Sequence, residues 1–485
     1  MIVGWIVLLV GLLTVSVVVV ALIRTAIAKS KHNKFFESKN LPKITVDREV
    51  AKVHLAEAIA CKTIGGRDWA MVDTGEFTRF RNVLRDAYPL IHSKLTVRQI
   101  SADNLVFVWE GSDTHAEPVL FCAHQDVVPA VEEQWTHSPF GKDISDGYVW
   151  GRGSFDMKGQ LIAMLEAVEQ SLKEGVIIQR SLWIALGCDE EIRGENGAKI
   201  IAQTLFDEHR RFAFVFDEGG AVAKGFFSML TQPVAVVGMA EKSYADVRLT
   251  YRGHGGHSST PEHPTPVARL ARAIHRIEQK RRPARFIAPI KAMMHSLALE
   301  SPLPIATVLY NPNLFKPLIV SLFSKNSTMN ALIRDTLAAT MVHGSDAPNV
   351  IGAVATANIN IRMLCDTQLE ELIDWMKRVM KDEQIEVAVA SSSPASKATD
   401  SKHPNIEPFF CAIRETFSDA VVCPYIMTGG SDGLWYEQVS DCVVRFSPFV
   451  MDKNELGRMH ANDERLSIDN LAKGIEFYRR LIVRL

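Results

Sequence analysis

The sequence predicts an α/β protein: a mixed sheet flanked by helices, an inserted α+β (ferredoxin-like) unit, and one N-terminal membrane helix. Three observations carry this. The apolar runs "PVLFCAH", "SLWIALG" and "RFAFVF" alternate with helical stretches, as in largely parallel sheets crossed by helices. "YADVRLTYRG" and "VATANINIRM" instead alternate apolar and polar residues, the mark of an antiparallel sheet with one wet face. Finally, no charged side chain occurs from Ile2 to Ile23.

That first run is long enough for a hydrocarbon core of about 30 Å at about 1.5 Å per residue. Nothing basic precedes it, which favours an anchor over a secretory signal, although "AIA" at Ala26 to Ala28 keeps a cleaved signal open. Arg24, Lys29, Lys31 and Lys34 follow the span and favour a cytoplasmic C-terminal side; a large exported domain overrides such a bias, so the side stays open. A polar linker follows. "REVAKVHLAEAIACKTI" reads as a helix by its apolar spacing. "DMKGQLIAMLEAVEQSLKEG" reads as a second, with Gly175 as its stop. "PTPVARLARAIHRIEQ" supplies a helix to the inserted unit. The proline-broken apolar stretch from Ile290 to Lys325 reads as helices lying over a site or forming a dimer surface. From about residue 366 the α/β pattern resumes.

At 485 residues the chain holds two to four domains. Its net charge of -2 and lack of a basic stripe argue against nucleic acid as a partner. Seven scattered cysteines without a C-x-x-C pair argue against a disulfide framework.

Three predicted strands run into acid or histidine. "VLFCA" ends in His124 and Asp126, "LWIALG" in Asp189, Glu190 and Glu191, and "FAFVF" in Asp217 and Glu218. Asp156 precedes a helix in "WGRGSFDMKG". Ligand crevices of parallel sheets lie beyond the carboxyl ends of the strands, so these residues converge where a site belongs. Buried charges there need pairing or a metal. Histidine with several carboxylates matches the ligand set of zinc, and a shared carboxylate is the usual bridge of a two-metal site.

"HQDVVP", "WGRGSFDMKG", "GCDEEIRGENGA", "DEGG", "GHGGHSS", "TGGSD" and "MHANDERLSI" occur in the order seen in the co-catalytic zinc peptidase and aminoacylase superfamily. The chain most resembles its carboxypeptidase S and N-acyl-amino-acid hydrolase branch, over nearly everything after residue 45. The resemblance implies a zinc-peptidase-like fold. Residues 1–24 would be the transmembrane anchor, 25–48 the linker, 49–242 and 366–485 the two parts of the catalytic domain, and 243–365 a lid and dimerisation domain. It implies two Zn2+ ions per subunit, replaceable by Co2+ or Mn2+. His124 would bind one ion, oriented by Asp126; Asp156 would bridge; Glu191 and His460 would bind the second. The first ion's carboxylate would be Asp217 or Glu218, with Asp217 slightly favoured. Glu190 would be the general base, and His257 would donate to the oxyanion, often across a dimer interface. Asn349, Arg362, Gly429 and Gly430 would contact substrate, the arginine suiting a carboxylate. After Asn349 the chain runs Val350, Ile351, Gly352, where the branch commonly has a proline.

The expected function is a membrane-anchored two-zinc amidohydrolase or carboxypeptidase, single-pass, acting on short peptides or N-acyl amino acids with a free carboxylate, and dimeric through the lid. The alternatives are a di- or tripeptide aminopeptidase, which needs an amine site that no extra acidic cluster supplies, and a tethered binding protein that has lost catalysis. Arg152 is expected to pair with Asp156 or another acid, and Asp189 to cap a helix.

Overall fold

A computed structural model describes residues 2–35, 44–101, 103–227 and 229–485. The main sheet has eight strands. Their order across it is Thr96–Gln99, Leu105–Trp109, Leu182–Gly187, Val119–His124, Phe214–Ala223, Val443–Met451, Val234–Glu241 and Val421–Met427. The central strands Leu182–Gly187, Val119–His124 and Phe214–Ala223 run parallel, while Leu105–Trp109 is antiparallel to its neighbour. The sheet is therefore mixed, as expected.

Side chains alternate across the strands, so each strand feeds two cores. Phe107 and Phe121 point to one side, into a cluster with Phe216, Phe409, Phe446, Phe477 and Tyr478. Helices Lys158–Lys173, Glu407–Thr416 and Ile468–Ile482 cover that side. Val106 and Leu120 point to the other, against helix Ala198–Asp207. Helix Lys158–Lys173 ends where Gly175 takes a φ of +70°, a left-handed stop that suits glycine.

A second, four-stranded antiparallel sheet has the order Thr336–His343, Val354–Met363, Ser243–Arg252, Ile385–Ser392. Helices Pro266–Gln279 and Leu369–Met380 pack on it, giving a β-α-β-β-α-β connection. This unit runs past the expected boundary at 365. Ile385–Ser392 pairs with Ser243–Arg252, and Leu372 and Met376 enter its core. A helix followed by a strand reads alike in either sheet, so local pattern misplaced this pair.

Four short helices, Ala288–Glu300, Leu303–Tyr310, Lys316–Phe323 and Ser327–Leu332, form the apolar stretch within this unit. Met293, Met294 and Leu297 join Cys423 and Ile426 in one core, over the edge strand of the main sheet.

The N-terminal helix spans Ile2–Phe35, so residues 25–35 of the expected linker are helical; residues 36–43 of it lie outside the described residues. Among the described residues, Gly11–His32 is the one helical stretch long and apolar enough to cross a bilayer.

Candidate metal centre

The parallel strands bring their carboxyl ends together as the sequence implies. His124 closes its strand, and Glu190 and Glu191 begin a single turn just after Leu182–Gly187. Glu218 lies within the long strand Phe214–Ala223. His460 returns on the loop before strand Arg465–Ser467, with a left-handed φ of 58°.

Two clusters of possible ligands result, and they share one residue. His124 Nε2 lies 3.2 Å from Asp156 Oδ1 and 3.1 Å from Glu218 Oε1. His460 Nε2 lies 3.0 Å from Asp156 Oδ2 and 3.1 Å from Glu191 Oε2. Each oxygen of Asp156 thus faces a different histidine. Asp217, favoured from the sequence, does not join: its Oδ2 accepts from the Gly433 N–H at 2.5 Å. Successive strand residues point to opposite faces, so only one of the pair can enter the cluster.

Asp126 is wholly buried and does more than orient an imidazole. His124 Nδ1 lies 3.3 Å from Asp126 Oδ1 and 3.0 Å from its backbone carbonyl. The same carboxylate accepts from the Glu190 N–H at 3.0 Å and the Glu191 N–H at 3.1 Å. One side chain therefore positions a histidine and both acids of the next strand end.

Sequence reasoning missed Glu464. It is buried, accepts from the Phe155 N–H at 2.9 Å and the Asp156 N–H at 3.2 Å, and pairs with Arg152 Nη1 at 2.6 Å. It holds the turn that presents Asp156, and it supplies the partner expected for Arg152. Its signal was its place four residues after His460 in "MHANDERL". Glu464→Ala should destabilise the fold by about 3–5 kcal/mol, because Arg152 would be left buried and unpaired. Glu464→Gln, which keeps an acceptor for the backbone, should lose less. Thermal unfolding of both variants tests this, and a loss under about 1 kcal/mol in the alanine variant would show Arg152 re-pairing.

Asp189 accepts from the Asn196 and Gly197 N–H groups at 2.8 and 2.7 Å, so it ties the acidic turn to the start of helix Ala198–Asp207. Behind the site Arg445 is fully buried, with Nε 2.9 Å from Glu241 Oε2 and Nη2 2.8 Å from Glu437 Oε1. Ser431 of the "TGGSD" turn donates to Glu241 at 3.0 Å. Gly429 and Gly430 are exposed on that turn.

Arg362 lies on the second sheet. Its guanidinium stands 5.0 Å from the Tyr244 ring, and Arg193 of the acidic turn stands 4.3 Å from the same ring. The tyrosine thus links that sheet to the metal-facing loop. His257 is exposed on the pair Gly256–His257 and Val350–Ile351, with Nδ1 2.7 Å from Ser259 Oγ. Asn349 is exposed, and its carbonyl accepts from the Ser258 N–H at 3.1 Å. These contacts tie the two loops to each other.

The electrostatics ask for positive charge. Burial pushes the Glu190 carboxyl well above its usual range; His124 opposes this, while Glu218, Asp432 and Glu191 reinforce it. Burial, with Asp156 beside it, pushes Glu218 up to about 8. Hydrogen bonds to Asp156 and Glu191 raise His460 to about 10. Glu191 Oε1 is buried and lacks any hydrogen-bond partner. An orphaned buried oxygen among crowded carboxylates and two imidazoles fits divalent cations, and the N/O donor set suits zinc.

Residues 120–484 match the profile of peptidase family M20/M25/M40. The chain is 34% identical over 446 residues to a probable carboxypeptidase S-like 2 of Dictyostelium discoideum, covering 90% of this chain and 85% of that protein. It is 32% identical over 482 residues to the N-fatty-acyl-amino acid synthase/hydrolase PM20D1 of Xenopus tropicalis, covering 98% and 93%. Among solved structures it is similar to the M20 family metallo-carboxypeptidase Sso-CP2 of Sulfolobus solfataricus, with a TM-score of 0.66 at 14% identity, over 90% of this chain and 99% of that one.

Proposed function

This chain belongs to the M20/M25/M40 peptidase family and is a metal-dependent hydrolase, and from that premise we propose a two-zinc amidohydrolase acting on N-acyl amino acids or short peptides with a free carboxylate. The observation that carries it is Asp156, whose two oxygens serve two separate histidine and carboxylate clusters. His124, Asp156 and Glu218 would hold one ion; Asp156, Glu191 and His460 would hold the other. When bound, the ions would polarise the scissile carbonyl and acidify the attacking water.

The chain's own groups do the rest. Glu190 takes a proton from the attacking water and hands it to the departing nitrogen. Its backbone is fixed by Asp126, so the base cannot drift relative to His124. Arg362 receives the substrate carboxylate in a planar fork, and the Gly429 and Gly430 turn offers backbone N–H groups beside it. Asn349 closes on the substrate from the lid. His257, exposed in one copy, donates to the oxyanion in the site of a second copy across a lid-to-lid dimer. The N-terminal helix is the single membrane anchor.

The relatives support two versions of the substrate, one a peptide with a free C-terminus and one a fatty-acyl amino acid. A tethered protein without catalysis would have no use for so many crowded carboxylates. The test is the full chain in detergent with zinc, on Gly-Xaa dipeptides and N-acyl amino acids of rising chain length. Hydrolysis should vanish with chelator, return with zinc, and rise with acyl length. Turnover that survives exhaustive chelation would sink the reading.

A further inference from the structure

The N-terminal helix is not a free tether. Thr25 is fully buried and its hydroxyl accepts from Asn311 Nδ2 at 3.2 Å. Lys29 Nζ donates to the carbonyls of Leu299 and, at 2.9 Å, Ser301. His32 Nε2 meets Glu300 Oε1 at 2.7 Å. A cation at the end of helix Ala288–Glu300 answers carbonyls that the helix leaves unpaired. The apolar helix is therefore bolted at its C-terminal part to the helical insertion, while Leu9, Leu12 and Leu13 nearer its start stay exposed.

The insertion carries apolar surface of its own beside this junction. Leu318 and Leu322, four apart, share one face of helix Lys316–Phe323, away from the buried Ile319 and Phe323. Leu314 continues the step in the turn before. These three leucines are 45–53% exposed. Lys325 follows the last of them, as a lysine does where an apolar face meets a headgroup layer, and Lys316 lies between Leu314 and Leu318 with its ammonium 5.8 Å from the Phe286 ring. An open cleft of about 580 Å³ joins the two surfaces, with Ser16, Val17 and Val20 on one wall and Pro312 and Leu314 on the other. Ser16 to Arg24 spans about 12 Å of helix at about 1.5 Å per residue. Arg24 closes the charge-free run, so the turn Asn311–Leu314 lies along the last part of the segment that a bilayer would cover.

We propose that the turn and helix Asn311–Phe323 enter the same leaflet as the N-terminal helix. The protein then rests on lipid through two apolar elements, and its hydrolytic site is held at a fixed attitude to the bilayer. This rests on reading the N-terminal helix as a membrane anchor. The occupant is a lipid surface because the exposed stripe adjoins an apolar helix of bilayer length that is locked in place.

The test is the full chain in phosphatidylcholine vesicles that contain a photoactivatable phospholipid, with adducts mapped by mass spectrometry. Adducts are expected on the N-terminal helix and on Leu314, Leu318 or Leu322. The double variant L318D/L322D should lose the second set and keep the first. It should also keep zinc-dependent hydrolysis of a short, water-soluble N-acyl amino acid, which shows that it is folded. Adducts confined to the N-terminal helix, in protein that resists carbonate extraction, would overturn the proposal and leave the anchor standing. Adducts on neither element, with the chain released by carbonate, would overturn the anchor and the proposal with it.

Discussion

Glu190→Gln should lower kcat by about 10²–10⁴-fold, the usual contribution of a positioned general base. KM and zinc content should change little. The argument rests on where the structure puts the two neighbouring acids. Glu191 faces His460 at 3.1 Å and belongs to a ligand cluster, whereas Glu190 belongs to neither cluster and is held by its backbone on Asp126. Glutamine keeps the volume and cannot accept a proton, so substrate binding and the metal clusters survive while proton transfer fails. Steady-state kinetics beside metal analysis of the same preparation measures this. A fall in kcat below about tenfold would remove Glu190 from the role. Loss of zinc in step with activity would move it among the ligands instead.

Much of this centre was legible in the sequence because strand ends are legible. His124 and the Glu190–Glu191 pair each follow an apolar run, and parallel strands put such ends on one edge; the Asp217–Glu218 pair also follows an apolar run, but its strand continues to Ala223. Asp156 was marked only by its place before a helix, and His460 was placed by motif resemblance alone. Which member of Asp217–Glu218 enters the cluster depends on strand parity at the bend of a ten-residue strand, which a single sequence does not set. Glu464 was missed for a different reason. Its partners Arg152, Phe155 and Asp156 lie 308–312 residues away, and the pattern around it marks a ligand, not a brace. The second sheet shows the same limit at the level of the fold. Ile385–Ser392 has the alternation of an edge strand, yet only its pairing with Ser243–Arg252 tells which sheet it completes.

The contacts of His257 and Asn349 tie their two loops to each other, whereas Arg362 reaches the acidic turn through Tyr244. That difference has a functional meaning under the dimer reading. A residue that serves its own site can be tied to it through packing. A residue that serves a neighbour's site must stand on an exposed edge, as His257 does.

Asp156→Ala should abolish zinc binding at both positions, and this is the sharpest consequence of the geometry. Asp156 is the only side chain in both clusters. Removing a terminal ligand such as Glu218 or His460 takes a third of one cluster and leaves the other intact. Removing Asp156 leaves His124 with Glu218 and His460 with Glu191, two protein ligands each, below the three that catalytic zinc sites keep. Affinity should therefore fall by more than the roughly 10–100-fold that follows loss of an outer partner. Metal analysis after dialysis should give no retained zinc for Asp156→Ala and about half the normal content for Glu218→Ala or His460→Ala. Glu464 still holds the turn by the Phe155 N–H, so the variant should fold, and its unfolding in chelator can be compared with the unmodified chain. If Asp156→Ala kept half its zinc, the residue would be an ordinary ligand of one ion, and the two histidines would belong to independent sites.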